Sequence, residues 1–146
     1  MLPEFYRFIV LNSTDQTFTY NSAARIELHI TPWKMTSGAM AQGTIISDTT
    51  AFLDTDGTLA AAATTEGTVI DNTSNLYIGF TGTFYGLADA TSTDGTLDLY
   101  MEFSTDNSRW PSDMIDFDIS KHCILLATLQ FSTGTEDDDA AVNVQY

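Results

Sequence analysis

Two carboxylates stand two residues apart in Ile115-Asp116-Phe117-Asp118-Ile119. On a strand, Asp116 and Asp118 project from one face roughly 6.5–7 Å apart, a separation that suits the acid and base of a glycosidase. Alternating Asp is also how the solvent face of a sheet stays soluble and avoids edge pairing, and no neighbour raises either pKa, so the solvated face is the stronger reading. Asp54-Thr55-Asp56-Gly57 has the acidic, glycine-containing look of a calcium loop. With Gly57 at the sixth position, Phe52 and Ala63 fall at the first and twelfth, where oxygen ligands are obligatory, and the loop fails. His29, His122 and Cys123 lack metal-ligand spacing. Cys123 is the one cysteine, in the apolar run Cys123-Ile124-Leu125-Leu126; it has no partner for an intrachain disulfide and reads as an inert packed thiol. No nucleophile elbow, phosphate loop or dinucleotide fingerprint occurs. The sequence predicts no catalytic residue, no metal site and no cofactor, hence a non-enzymatic protein.

What remains for function is contact. Trp33 stands between Pro32 and Lys34, Arg109-Trp110-Pro111 follows the turn at 106–108, and Tyr146 is the final residue given. Indoles in such places anchor protein interfaces, stack on sugars or plug the open end of a sandwich. Trp33, Lys34, Arg109, Trp110 and Tyr146 are therefore the candidate contact residues. Charge narrows the partner. Five Lys and Arg against 20 Asp and Glu in 146 residues leave a formal net charge of −15. Arg7, Arg25, Lys34, Arg109 and Lys121 are scattered along the chain, so nothing clusters to neutralise phosphates and no nucleic-acid partner is expected. An anionic membrane surface repels such a chain, and no apolar run approaches the ~20 residues needed to cross a bilayer. The N-terminal stretch Met1-Leu2-Pro3-Glu4-Phe5-Tyr6-Arg7 has no basic leader, which predicts synthesis in a cytoplasm without a signal peptide.

The elements that must position these residues are strands. Leu97, Leu99, Met101 and Phe103 alternate with Thr96, Asp98, Tyr100 and Glu102, the period of two that marks a half-buried strand with the second set facing solvent. The same alternation runs through 25–30 and 115–119. Further strands are predicted at 5–11, 17–20, 39–47, 76–80, 83–87, 122–131 and 141–146, separated by Asp, Asn, Ser and Gly turn formers. The alanine run 60–63 offers at most one turn of helix. Strands this short, punctuated this often, predict an all-β, antiparallel β-sandwich with immunoglobulin-like or jelly-roll topology and little or no helix. Residues 1–146 form one domain, with 136–146 an acidic loop followed by a terminal strand or arm.

The stretch Gly95-Thr96-Leu97-Asp98-Leu99-Tyr100-Met101-Glu102-Phe103-Ser104-Thr105-Asp106-Asn107-Ser108-Arg109-Trp110-Pro111 resembles small β-sandwich structural proteins of tailed-bacteriophage virions. So do Asp71-Asn72-Thr73-Ser74-Asn75-Leu76-Tyr77-Ile78-Gly79-Phe80, and Ala24-Arg25-Ile26 leading to Thr31-Pro32-Trp33-Lys34. The resemblance implies a virion component that decorates or cements a capsid, made in the host bacterial cytoplasm. Its partners would be other virion proteins, either the major capsid protein or tail and connector subunits, and it would act as a homo-oligomer. It carries over no catalytic residue. Two other readings stay open: a head-tail or tail adaptor subunit, and a carbohydrate-binding module that stacks a host glycan on Trp33 or Trp110.

Overall fold

The computed structural model describes residues 1–19, 25–48, 57–88, 93–132 and 139–146. Most of the failed calcium loop and of the acidic block at 136–139 lies outside the described residues. In chain order the elements are β1 (Phe5–Thr14), β2 (Phe18–Thr19), β3 (Arg25–Thr36), β4 (Ala39–Gln42), β5 (Ile46–Asp48), β6 (Thr58–Leu59), β7 (Thr64–Glu66), β8 (Ile70–Asp71), β9 (Gly79–Leu87) and β10 (Gly95–Ser104). A 3-10 turn (Pro111–Asp113), the short helix α1 (Ile119–His122), β11 (Ile124–Phe131) and β12 (Asp139–Gln145) complete it.

The first sheet runs β11-β10-β1-β7, with β8 also on β1; the second runs β12-β9-β3-β4, with β5 also on β3. Every pairing is antiparallel. The protein is an all-β sandwich. Period-two patterning explains the packing: Tyr6, Phe8 and Val10 of β1, with Leu97, Leu99 and Met101 of β10, face Ile26, Leu28 and Ile30 of β3 and Phe80 and Phe84 of β9. Phe8 meets Phe80 edge-on across the two layers, with ring centroids 5.6 Å apart. Two asparagines close the ends. Asn12, fully buried, donates to the carbonyls of Gln16, Leu59 and Ala60 and accepts from the Thr14 amide and hydroxyl. Asn72 donates to the carbonyls of Leu2, Pro3 and Tyr77 and accepts from the Tyr77 amide.

Several expectations are corrected. Residues 115–119 are not a strand. Asp118 Oδ1 accepts from the Ser120 amide at 3.1 Å and its hydroxyl at 2.6 Å, capping α1, and Ile115 points wholly into solvent. An Asp two residues before a Ser is a local cap signal, and here it prevails over an alternation only five residues long. His122 accordingly ends α1 and the strand begins at Ile124. The alanine run forms a turn, with Ala62 at φ 61° and hydrogen-bonded to Asn12, and no helix. Residues 39–47 divide into β4 and β5, and Leu76 (φ 53°) lies in a turn that delays β9 to Gly79. Tyr100 and Glu102, expected to face solvent, are buried at 8% and 0% exposure.

Candidate functional site

The two outer faces of the sandwich are built differently. On the first sheet, Arg7 and Ile9 of β1 project outward opposite Glu102 and Tyr100 of β10. After β10 the chain turns at Asp106, whose carboxylate accepts from the Ser108 and Arg109 amides and the Ser104 hydroxyl, bonds that hold its pKa down to about 2. The chain then returns over the sheet. Ser112 bonds Glu102 twice, amide to Oε2 at 3.0 Å and hydroxyl to Oε1 at 2.9 Å. Arg7 Nε meets Glu102 Oε1 at 2.6 Å, its Nη2 donates to Ser112 Oγ at 2.8 Å, and its Nη1 reaches Glu66 of β7 at 2.7 Å. The guanidinium lies 4.5 Å over the Trp110 ring, which is only 8% exposed. Segment 105–123 is thus fastened to the face it covers, and Ile9, Tyr100 and Glu102 are buried beneath a second, smaller layer.

Chemically this cluster is saturated. Both Glu102 oxygens are engaged by Arg7 and Ser112, so the carboxylate is occupied as an acceptor. The Cys123 thiol is pushed up to about 12, first by burial and then by the charge of Glu102, which keeps it protonated at neutral pH. The arrangement holds a covering segment in place.

Among the described residues no segment is fastened over the second sheet's outer face as 105–123 is over the first. Trp33 of β3 pairs with Gly79 of β9, and its ring lies against that glycine: a Cβ there would stand 2.7 Å from Trp33 Cζ2. Beyond Trp33, β3 and β4 continue as a hairpin with Met35 opposite Met40, closed by Ser37 (φ 51°) and Gly38 (φ 83°), the two left-handed residues of a type I′ turn. Met35 and Met40 share the Trp33 face and are 53% and 63% exposed. Lys34 points the other way, donating to the Asn75 carbonyl at 2.9 Å with its ammonium 5.5 Å from the Tyr77 ring. Tyr146 exchanges backbone bonds with Phe80 at 3.1 and 3.2 Å and stacks on its ring at 6.0 Å.

Of the sequence candidates, the structure therefore brings Trp33, Lys34 and Tyr146 to one end of the second sheet, and places Arg109 and Trp110 on the opposite side of the molecule. Arg109 is exposed and 3.8 Å from Asp106, a surface pair worth little. Trp110 is buried and presents no ring face to a partner. Asp116 and Asp118 lie on the covering segment, not on a strand, and the Asp118 carboxylate is taken up by the Ser120 cap and an ion pair with Lys121 at 2.6 Å. His29 sits between Ser47 Oγ at 2.9 Å and Glu27 at 3.2 Å. Among the described residues no three His, Cys, Asp or Glu side chains come together as a metal-binding group.

Sequence reading missed the Arg7–Glu102–Ser112 fastening, for which no local signal exists. It also missed the Met35–Met40 pair, which the Ser37-Gly38 turn dipeptide does announce. Met114, 52% exposed, and Ile115, 101% exposed, form a further apolar protrusion on the covering segment. A shallow groove of about 380 Å³ lined by Leu126, Asn143, Val144 and Gln145 separates the edge strands β11 and β12. No helix among the described residues is long and apolar enough to cross a membrane. No protein-family model, curated protein or solved structure matches the chain.

Proposed function

We propose that this chain is a non-enzymatic structural protein of a tailed-phage virion, decorating or cementing the capsid through repeated protein–protein contacts. One observation carries the reading. The folded core is complete within the sandwich, yet apolar side chains protrude on opposite sides of it: Met35 and Met40 on the second sheet, Met114 and Ile115 on the segment covering the first. On a chain of net charge −15, a methionine pair and a fully exposed isoleucine cost solubility unless a partner covers them. Two separated protrusions let one subunit touch two neighbours, which is what a lattice component requires. The sequence resemblance to virion β-sandwich proteins supplies the kind of lattice.

The test is addition of the purified chain to expanded capsids lacking it, followed by sedimentation. Binding that saturates at a fixed ratio to the capsid subunit, and falls with Ile115→Asp, is the expected result. A chain that stays in the supernatant at every ratio removes the reading.

A further inference from the structure

We infer that the Trp33 end of the second sheet's outer face is a binding site for a neutral oligosaccharide. The inference goes beyond the virion reading and is independent of it, since a chain can carry such a site whatever it assembles with.

Strand alternation lays out the site. β3 turns Trp33, Thr31 and His29 outward, and the antiparallel register sets beside them Gly79, Thr81 and Thr83 of β9, then Gln145 and Asn143 of β12. Gln42 of β4 stands on the other flank of Trp33. Gly79 is the outward position of β9 that lacks a side chain, and the Trp33 ring fills that space. The glycine is buried and the indole half-buried, so the ring is held in place with part of its surface open to solvent. The first sheet's tryptophan offers nothing similar, because Trp110 lies under Arg7 and is 8% exposed.

The polar groups near the indole are free to bind. The Asn12, Asn72 and Gln130 amides are spent on backbone carbonyls. Among the described residues, the side chains of Gln42, Asn143 and Gln145 are exposed and hydrogen-bond to no protein group. Each amide carries a donor beside an acceptor, which neighbouring sugar hydroxyls match, and an indole supplies the apolar surface that a sugar's C–H face covers. Asn143 and Gln145 also line the groove of about 380 Å³ at the sheet edge, so the platform opens into it.

Charge and size select the ligand. The charged groups of this face, Arg25 and Glu27, lie beyond the His29 row and pair with each other at 3.4 Å, and Lys34 is turned to the Asn75 carbonyl. An acidic polysaccharide meets a chain of net charge −15, and a basic ligand is drawn to the acidic surfaces elsewhere, which leaves a neutral one. Three outward rows about 6.8 Å apart, across at most four strands about 4.8 Å apart, make a platform roughly 14 Å on a side, about 200 Å². A protein partner needs about four times that area from each side, whereas a short oligosaccharide is covered by it. An open site of this size binds weakly, in about the 0.1–1 mM range.

Calorimetric titration of the whole chain tests this, with cellohexaose, maltohexaose and mannohexaose as neutral probes, oligogalacturonate as the acidic one, and tryptophan emission read in parallel. The expected result is that at least one neutral probe binds in about the 0.1–1 mM range and shifts the emission, while oligogalacturonate does not bind. Trp33→Ala should abolish binding with an unchanged far-ultraviolet spectrum. Gln42→Ala and Gln145→Ala, both at exposed positions, should each weaken it several-fold, and they decide the matter if Trp33→Ala fails to fold. Ile115→Asp, on the opposite side, should leave binding unchanged. No binding of any neutral probe at about 5 mM overturns the inference. So does binding that survives Trp33→Ala or both glutamine variants intact, or binding of oligogalacturonate alone.

Discussion

Arg7 and Glu102 face each other across β1 and β10 on the outer side of the first sheet, Nε to Oε1 at 2.6 Å, with the Glu102 side chain at 0% exposure and Arg7 at 13%. A charge so placed is tolerated because Arg7 and Ser112 together satisfy both of its oxygens. The pair is also what turns an exposed sheet face into a covered one.

Breaking it from the basic side should be severe. Arg7→Met leaves Glu102 buried without its countercharge and should cost about 3–5 kcal/mol in urea unfolding. Ser112→Ala keeps the amide bond to Glu102 but removes the hydroxyl's bond to the carboxylate and its acceptance from Arg7, and should cost about 1–2 kcal/mol. Because Arg7 stacks on Trp110, the Arg7 variant should also shift tryptophan emission. A loss below about 1 kcal/mol for Arg7→Met would mean that the covering segment is held by other contacts.

Tyr6 is buried in the core, and its hydroxyl has no hydrogen-bond partner. Tyr6→Phe should therefore be neutral or stabilising by about 1 kcal/mol, where truncating a partnered tyrosine would destabilise. Burial, with a smaller contribution from Tyr77, raises its pKa from 10.0 to about 12. The unfolded chain then loses this proton at lower pH than the native one, so stability is intact below pH 10 and falls as pH rises towards 12, by about 2–3 kcal/mol. The alkaline fall should shrink in Tyr6→Phe. An identical alkaline limb in both proteins would contradict it.

Asn12 joins β1 to the turns at 16 and 59–60 through five hydrogen bonds. Asn12→Ala leaves buried carbonyls and the Thr14 amide without partners and should cost about 2–3 kcal/mol. Calorimetric melting of the variant measures this directly, and a melting temperature equal to wild type would show that the side chain is dispensable.

Cys123 should be a slow thiol. With its pKa at about 12, the native thiolate fraction at pH 8 is so small that reaction with an aromatic disulfide should run roughly fifty- to hundredfold slower than in the urea-unfolded chain, after allowing for the greater intrinsic nucleophilicity of a basic thiolate. Equal rates in the two states would show that segment 105–123 lifts off readily.

These features differ in how far they could be read from sequence, and the difference has a physical cause. The inward sets Leu97-Leu99-Met101 and Ile26-Leu28-Ile30 were legible because a strand's facing depends on its own alternation. The burial of Tyr100 and Glu102 was not, because what covers them arrives from residues 105–123 and is tied down at Ser112 by an arginine 105 positions earlier in the chain. Local chemistry also competed with periodicity. The Asp118–Ser120 cap was present in the sequence beside an apparent five-residue strand, and the cap decided the backbone. The Trp33 surface was half legible. Its aromatic and neighbouring lysine drew attention, while its neutrality became visible only once Gln42, Thr81 and Gln145 of three other strands were seen to share its face.

The most direct test of the central claim is an image of the native particle at a resolution that resolves subunits. The account predicts many symmetry-related copies of this sandwich on the capsid surface, with Met114 and Ile115 against the particle. Particles that lack the chain, with the protein recovered beside them as a free monomer, would contradict it.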